Sequence, residues 1–292
     1  MPERKVGVLG ASSLVGGLLL AQLAETGCRA VAFSRKKQIE IQSGAVEWRP
    51  LPTPGTKSPD ITSSISQWIC VAPIWVLPDY FSLIEASGAR RVVALSSTSR
   101  FTKVGSGDTA ESDIAAKLIE SEARVQAWAE GRGIKWVVLR PTLIYGQGRD
   151  QNISEMARFI RRFGFFPLLG RARGLRQPIH AEDVAAACVA ALQVPDAANR
   201  SYNISGGETL AYRDMVARVF AALGRPARLV TVSLWAFRLA VAMLRYLPRY
   251  RHWSAALAER MNRDLVFDNT DAARDLGFKP RGFALTAEDV PQ

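Results

Sequence analysis

A glycine-containing turn between an apolar strand and an apolar helix constrains this chain most strongly. The run Lys5–Leu9 predicts a buried strand, and Leu14–Thr26 has the apolar spacing of a helix that stops at Gly27. The connecting residues are Gly10-Ala11-Ser12-Ser13-Leu14-Val15-Gly16. Gly10 permits a tight turn, Gly16 lets the helix pack closely, and the helix start offers free N–H groups to an anion. This order of elements predicts a Rossmann-type site for a dinucleotide pyrophosphate, formed by Gly10, Ser12, Ser13, Leu14, Val15 and Gly16.

Apolar runs and helix-like segments continue to alternate along the chain. Further strands are predicted at Arg29–Phe33, Gln67–Ala72, Arg91–Leu95, Ile134–Leu139 and Tyr202–Ile204. Further helices are predicted at Pro78–Ser87, Ala110–Glu130, Asn152–Phe163 and Glu182–Leu192, and the chain is expected to be mostly helical from Tyr212. Pro50–Asp60 and the aromatic, arginine-rich stretch Gly164–Arg176 are expected to be loops.

Such alternation is typical of an α/β protein with a Rossmann-type, doubly wound parallel sheet. We expect residues 1–150 to form an NAD(P)-binding domain, to which residues 175–205 return. Residues 206–292, with a contribution from 151–174, are expected to form a smaller, mostly helical C-terminal substrate lobe. The 292 residues are sufficient for one large domain with such a lobe.

The end of the second strand bears on the choice of nucleotide. An Asp or Glu there would hold the ribose 2′-hydroxyl and favour NAD, but the strand ends at Phe33-Ser34-Arg35. The hydroxyl of Ser34 and the guanidinium of Arg35 suit a 2′-phosphate. NADP(H) is therefore the expected cofactor, ahead of NAD, with a solvated basic turn as the alternative interpretation.

Cysteine usage and charge narrow the class further. Three cysteines without a CxxC pair predict neither disulfides nor a zinc site, and the short, charged N-terminus does not resemble a signal peptide, so a cytoplasmic location is expected. The net charge of +11 is localised. Residues 156–181 and 215–258 contain no acid but six and seven arginines, respectively. A localised basic region indicates an anionic partner.

Five motifs in order resemble the extended short-chain dehydrogenase/reductase superfamily, the NAD(P)-dependent epimerase/dehydratase group. The motifs are the Gly10–Gly16 turn, Val93–Thr98, Leu139–Gly146, Gln177–Ala185 and Leu276–Pro280. The resemblance implies that Thr98 hydrogen-bonds the reacting oxygen and that Ala72-Pro73 packs along the cofactor. Ser96 and Pro141 are further cofactor contacts implied by these strand-end motifs.

The same superfamily uses a Tyr-x-x-x-Lys pair, from which this sequence departs. Lys117 occupies the expected helix, but Asp113 stands where the tyrosine would be, and shifting by one residue gives Ile114 and Leu118. The departure resembles the atypical branch of the superfamily. Asp113 could act as the acid with Lys117 as a cofactor ligand, or a tyrosine such as Tyr145 could reach the site. The third possibility is that the chain performs no proton transfer.

An apolar segment with spaced arginines lies near the C-terminus. Leu229–Leu247 predicts a helix with Arg238 and Arg245 on one face, and basic and aromatic residues follow it as far as Trp253. Residues 229–253 suit an interfacial helix on an anionic membrane, whereas burial in the lobe or a homodimer contact is the other interpretation. Phe159–Leu169 has the same mixture. Nucleic acid is not expected as a partner, because the aromatics lie in apolar runs.

These features favour an NADP(H)-binding oxidoreductase or epimerase with an anionic small-molecule or lipid-linked substrate, such as a nucleotide sugar or a polyprenyl-linked sugar. The alternative is a non-catalytic NADP(H)-binding sensor or a membrane-docked structural subunit. Peripheral attachment to the inner face of a membrane is a variant of the cytoplasmic expectation. No metal site is expected.

Overall fold

The fold is that of a computed structural model, which describes residues 4–35, 44–54, 64–103, 109–233, 235 and 260–291. Its main sheet has seven parallel strands in the order β3-β2-β1-β4-β5-β6-β11. These strands are β1 (Lys5–Leu9), β2 (Arg29–Ser34), β3 (Val46–Pro50), β4 (Gln67–Cys70), β5 (Arg91–Leu95), β6 (Lys135–Pro141) and β11 (Arg200–Ile204). The predicted doubly wound α/β architecture is confirmed.

Helices cover both faces of this sheet, because its central strands are apolar on both sides. The helices are α1 (Leu14–Glu25), α2 (Phe81–Ala86), α3 (Ser99–Thr102), α4 (Thr109–Gly131), α5 (Ile153–Phe163), α6 (Ala181–Gln193), α7 (Tyr212–Ala222) and α8 (Thr270–Leu276). Helices α1 and α6 pack on one face, and α2 and α4 pack on the other. The helix predicted at Pro78–Ser87 is instead a 3₁₀ segment, Ile74–Tyr80, that continues into α2.

Three small two-stranded sheets lie beyond the main sheet. They pair β7 (Ile144–Tyr145) with β10 (Ile179–His180), β9 (Leu175–Arg176) with β12 (Leu210–Ala211), and β8 (Phe166–Leu169) with β13 (Leu229–Val232). Helices α5 and α7 share a separate core with β8. No helix within the described ranges is long and apolar enough to span a membrane.

Two sequence predictions are wrong in this region. Gly164–Arg176 contains strands β8 and β9 rather than only loop, because β8 pairs with a strand sixty residues away. Leu229–Val232 is that partner strand and not the start of a helix. The rest of Leu229–Leu247, apart from Ser233 and Trp235, lies outside the described residues, as does the continuation to Trp253.

Strand β3 was also not predicted. It precedes the expected loop Pro50–Asp60. Pro50 is the last residue of the strand, and residues 55–60 lie outside the described ranges. Cys70 and Cys188 are both buried. Burial raises the pKa of the Cys70 thiol to about 12 and that of Cys188 further, so both are inert thiols.

Candidate functional site

The turn between β1 and α1 is packed so tightly that two of its positions require glycine. Gly10 has a φ of +82°, and a Cβ placed on it would lie 2.5 Å from the amide nitrogen of Ala72. A Cβ on Gly16 would lie 2.4 Å from the carbonyl oxygen of Gly10. The turn therefore closes against the end of β4 and against the first turn of α1.

The start of α1 faces a cavity of about 1130 Å³, whose lining includes Ser13, Leu14 and Val15. The hydroxyl of Ser13 accepts a hydrogen bond from the Gly16 amide at 3.0 Å and caps the helix. The earlier amides of this first turn have no partner within the helix. Together with the positive end of the helix dipole, they can hold a phosphate group.

Ser34 and Arg35 lie at the same edge of the sheet as this turn. The parallel register pairs Leu9 with Phe33, so the carboxyl ends of β1 and β2 are adjacent. Ser34 is buried and Arg35 is exposed, and neither lines the cavity. Their position beside the β1–α1 turn is where an adenosine ribose lies in a Rossmann site.

The ends of the neighbouring strands form the floor of the cavity. Of the predicted site residues, the cavity lining includes Ser13, Leu14, Val15, Ala72, Pro73, Ser96, Thr98 and Pro141. It does not include Gly10, Ser12, Gly16, Ser34, Arg35, Asp113 or Lys117. The structure thus brings together the strand-end residues implied by the family resemblance and separates them from the predicted acid and lysine.

Thr98 and Ser97 belong to this floor and differ in the hydrogen bonds that they can still form. The hydroxyl of Thr98 is buried and donates to the carbonyl oxygen of Pro141 at 3.1 Å, which leaves its lone pairs free. The hydroxyl of Ser97 accepts from the Ser99 amide at 3.1 Å, and its own proton has no acceptor among the described residues. Ser97 therefore offers a donor, and Thr98 an acceptor, to a molecule in the cavity.

Asp113 and Lys117 lie on the exposed face of α4. The buried face of that helix carries Leu118, with Ile114 half-buried beside the core, so the alternative register also places no polar group there. No ion pair joins Asp113 to Lys117 among the described contacts. The placement gives no support to Asp113 as an acid or to Lys117 as a cofactor ligand, because both side chains are exposed and neither lines the cavity.

Glu122 is a buried carboxylate on α4 that the sequence analysis did not single out. Its side chain is 1% exposed. It accepts a bidentate contact from Arg140, in which Nε donates to Oε1 at 3.2 Å and Nη2 donates to Oε2 at 2.7 Å. It also forms an ion pair with Arg100 and accepts a hydrogen bond from the Ser96 hydroxyl. This cluster ties α3, α4, β5 and β6 together directly behind the cavity floor. Glu122 is three residues from the buried Val125 and four from the buried Leu118, which is the signal that could have identified it.

The cavity lining carries more cations than acids, although Asp150 and Glu155 also belong to it. Its cations include Arg149, Arg176, Arg260 and Arg263, together with Lys103. Arg176 is buried, donates to the carbonyl oxygens of Leu175, Arg260 and Arg263, and lies over the ring of Tyr212 at 5.4 Å. Burial lowers the pKa of Arg176 from its ordinary value, so a nearby anion would be favourable.

Glu111, at the start of α4, partly balances this charge. Its carboxylate pairs with Arg260 at 2.8 Å across the cavity. Arg263 also donates to the carbonyl oxygen of Thr102 at 3.4 Å. The segment that begins at residue 260 is thus joined to the start of α4 and the end of α3 by contacts at the cavity wall. The buried position of Glu111, four residues before the buried Ala115, is its sequence signal.

Tyr145 and His180 lie behind the cavity rather than in it. The two rings are in edge contact at 5.1 Å, and both are buried. His180 Nδ1 accepts from the Glu182 amide and caps α6, so Nε2 carries the proton toward Asp289 at 3.2 Å. Burial raises the pKa of Tyr145 to about 12. Neither side chain is available for proton transfer at the strand ends.

The middle of the chain is similar to a known protein family. Residues 80–205 match the NAD dependent epimerase/dehydratase family, which confirms the resemblance predicted from the motifs. The chain is 24% identical over 183 residues to UDP-glucose 4-epimerase from Vibrio cholerae, a match that covers 61% of this chain and 53% of that enzyme. The chain therefore spans about half the length of that relative. NAD(P)H azoreductase from Xenophilus azovorans is 27% identical over 233 residues, covering 78% of this chain and 77% of that enzyme.

Solved structures with the same fold include MoeE5 in complex with UDP-glucose and NAD. It superposes with a TM-score of 0.69 over 95% of this chain and 93% of that chain, at 21% identity. At this identity the similarity establishes the fold alone.

Proposed function

We propose that this chain binds NADP(H) at the β1–α1 turn and acts as an oxidoreductase or epimerase on an anionic substrate. The observation that carries the proposal is the single cavity that joins the start of α1, the Ser96–Thr98 strand end and a cationic wall. The family match over residues 80–205 supports this assignment. A nucleotide sugar or a polyprenyl-linked sugar is the proposed substrate class, and the epimerase relative is named for UDP-glucose.

The described residues fit a dinucleotide. The tight turn leaves no room for a Cβ at Gly10 or Gly16. The amides of Leu14 and Val15, which line the cavity, would hold the pyrophosphate. Ala72 and Pro73 would contact the cofactor beyond it. When bound, the nicotinamide would supply the hydride acceptor or donor.

The preference for NADP(H) over NAD(H) depends on Arg35. Its exposed guanidinium at the end of β2 would pair with a 2′-phosphate, so Arg35→Ala should weaken NADPH binding about tenfold and leave NADH binding unchanged. Arg4→Ala is the matched control, because Arg4 is exposed at the opposite end of the neighbouring strand. Fluorescence titration measures both affinities, and equal affinity of the wild type for the two nucleotides would remove the role of Arg35.

The hydroxyl groups at the strand end determine how a substrate would be oriented. Because Thr98 gives its proton to Pro141, its oxygen would accept a hydrogen bond from a substrate hydroxyl. The free proton of Ser97 would be donated to a substrate carbonyl oxygen, where it would stabilise developing negative charge. Asp113 and Lys117 are left out of the proposed site because both are exposed outside the cavity.

The cationic wall would bind the anionic part of the substrate. Arg149, Arg260 and Arg263 are exposed and line the cavity, while the buried Arg176 holds the backbone of residues 260–263 in place. Guanidinium groups match phosphate oxygens in geometry and charge. A diphosphate on this wall would leave a sugar directed toward the strand ends.

A turnover screen tests the reaction. Wild-type protein with NADP⁺ or NAD⁺ and a panel of nucleotide sugars should yield reduced cofactor or an epimerised sugar. Ser97→Ala and Thr98→Val should each lower kcat by about a hundredfold. Lys117→Ala is the matched control and should behave as wild type, because Lys117 is exposed outside the cavity. A large loss of kcat in Lys117→Ala with unchanged Ser97→Ala would contradict the proposed arrangement.

A non-catalytic NADP(H)-binding role is the second candidate function. The sequence of α4 contains no tyrosine, and the buried face of this helix places Leu118 where the alternative register would require a lysine. Tight NADPH binding without turnover of any nucleotide sugar would favour this candidate over the enzyme.

A further inference from the structure

Exposed apolar side chains cluster at one place on the substrate-lobe side. Phe163, Phe165, Val230 and Trp235 are 51%, 37%, 47% and 74% exposed, respectively. Phe163 is the last residue of α5, and Phe165 directly precedes β8. Val230 lies in β13, and Trp235 follows that strand. Isolated exposed apolar residues are common on proteins, but a contiguous set marks an interaction site.

Direct ring contacts join the two phenylalanines of this set, and strand pairing brings Val230 close to them. The rings of Phe163 and Phe165 are 6.4 Å apart, and Phe159 contacts both at 4.6 and 5.8 Å. The Phe166 amide donates to the Arg228 carbonyl oxygen, and the strand register then pairs Val230 with Pro167. Because alternate residues of a strand share a face, Phe165 and Val230 lie on the same side of the β8–β13 sheet.

Arginines surround this set without carboxylate partners. Arg158, Arg161 and Arg162 are exposed on α5, and Arg225 and Arg228 are exposed before β13. None of the five forms an ion pair with an acid in the described ranges. Arg161 and Arg225 donate instead to backbone carbonyl oxygens, and Arg162 lies over the ring of Phe163 at 5.3 Å. We call these arginines and the four apolar residues the aromatic-basic surface.

The charge of this surface decides between its potential occupants. A symmetric contact between two copies would bring unpaired arginines against unpaired arginines, which is unfavourable. Exposed aromatic rings next to arginines match the boundary between phosphate head groups and acyl chains, where rings insert shallowly and guanidinium groups remain in the polar layer. Anionic lipids add an attraction for each arginine.

We propose that the aromatic-basic surface docks on an anionic phospholipid bilayer. Docking there places the membrane beside the cavity, because Phe159 and Phe166 line the cavity and Phe159 contacts Phe163 and Phe165. The inference is independent of the proposed chemistry, since lipid binding is measured without cofactor or substrate.

Co-sedimentation of the full chain with lipid vesicles tests this inference. Vesicles of phosphatidylcholine with phosphatidylglycerol should bind the protein at low salt, and binding should fall as salt rises. Vesicles of phosphatidylcholine alone should bind it weakly. The double variant Arg158→Gln/Arg162→Gln should lose about fivefold in affinity for each arginine removed. Phe163→Ser/Phe165→Ser should lose at least as much.

Matched control variants remove similar groups elsewhere. Arg90→Gln/Arg124→Gln removes two exposed arginines, and Ile119→Ser removes an exposed apolar side chain; both should bind as wild type. Circular dichroism verifies that each variant is folded. Absence of binding to anionic vesicles at low salt overturns the inference, as does binding that neither surface variant reduces. Light scattering that finds a dimer dissociated by the surface variants, without vesicle binding, would assign the surface to a second copy instead.

Discussion

The buried Glu122 carboxylate should be worth several kcal/mol to the fold. Glu122→Gln removes the negative charge that pairs with Arg140 and Arg100, while both guanidinium groups remain in place. Removing one partner of a buried pair typically costs about 3–5 kcal/mol. Because Arg140 and Arg100 retain some solvent access, at 15% and 20% exposure, we expect about 3 kcal/mol. That is a large fraction of the roughly 5–15 kcal/mol by which a domain is stable.

Urea unfolding followed by tryptophan fluorescence measures this loss. Glu120→Gln is the control, because Glu120 is exposed on the same helix and should change the free energy of unfolding by less than about 0.5 kcal/mol. Adding Arg140→Met to Glu122→Gln should cost less than the sum of the single changes, since the pair is already broken. A loss below about 1 kcal/mol in Glu122→Gln, or additive effects in the double variant, would refute this account of the cluster.

Three further predictions follow from groups near the cavity. Tyr145→Phe should change the free energy of unfolding by less than about 1 kcal/mol in urea titration, because the Ala284 backbone is the one partner of the buried phenol oxygen among the described residues and that contact is poorly aligned; a larger loss would contradict it. Burial alone would raise the pKa of Asp289, but hydrogen bonds from Thr286, His180 and Gln147 outweigh burial and lower it. Its stabilising contribution is therefore present above the ordinary Asp pKa and is lost as pH falls through the lower, folded value. Stability should decline below about pH 4 less steeply in Asp289→Asn than in wild type, and identical acid unfolding curves would refute this. Glu111→Gln should tighten binding of UDP two- to fivefold by calorimetry, about 0.5–1 kcal/mol, because it frees Arg260; weaker binding would refute it.

The central strands and the β1–α1 turn were predictable because their signals are local. An apolar run followed by Gly10 and a helix has one favourable arrangement, and the parallel sheet then follows from the alternation of elements. Strand β8 was missed because it is short, contains Pro167 and forms only through pairing with β13. The apolar residues at the start of Leu229–Leu247 merge with the apolar sequence that follows, so they favour a helix, although Leu229–Val232 is rich in β-branched residues.

Site residues that follow strands could be predicted from the sequence. Site residues on helices could not, because the orientation of the helix decides which of its side chains face the cavity. Thr98 follows β5 by three residues and Pro141 ends the neighbouring parallel strand β6, so both reach the same edge. Asp113 and Lys117 were selected by motif spacing alone. The periodicity of α4 places its buried face at Ala115, Leu118, Glu122 and Val125, which turns the 113–117 face to solvent. This periodicity marks Glu122 as buried, but its ion-pair partners come from other elements and could not be predicted from it.

Calorimetric titration of NADPH into the wild type, Gly16→Ala and Gly17→Ala tests the central claim most directly. A methyl group at Gly16 would meet the carbonyl oxygens of Gly10 and Ala11, whereas one at Gly17 meets nothing within 4 Å. We predict that wild type and Gly17→Ala bind NADPH alike and that Gly16→Ala, verified as folded, binds it at least about tenfold more weakly, a difference of about 1.4 kcal/mol. No binding of NADPH or NADH to the wild type, or equal affinity in all three proteins, would contradict a dinucleotide site at this turn.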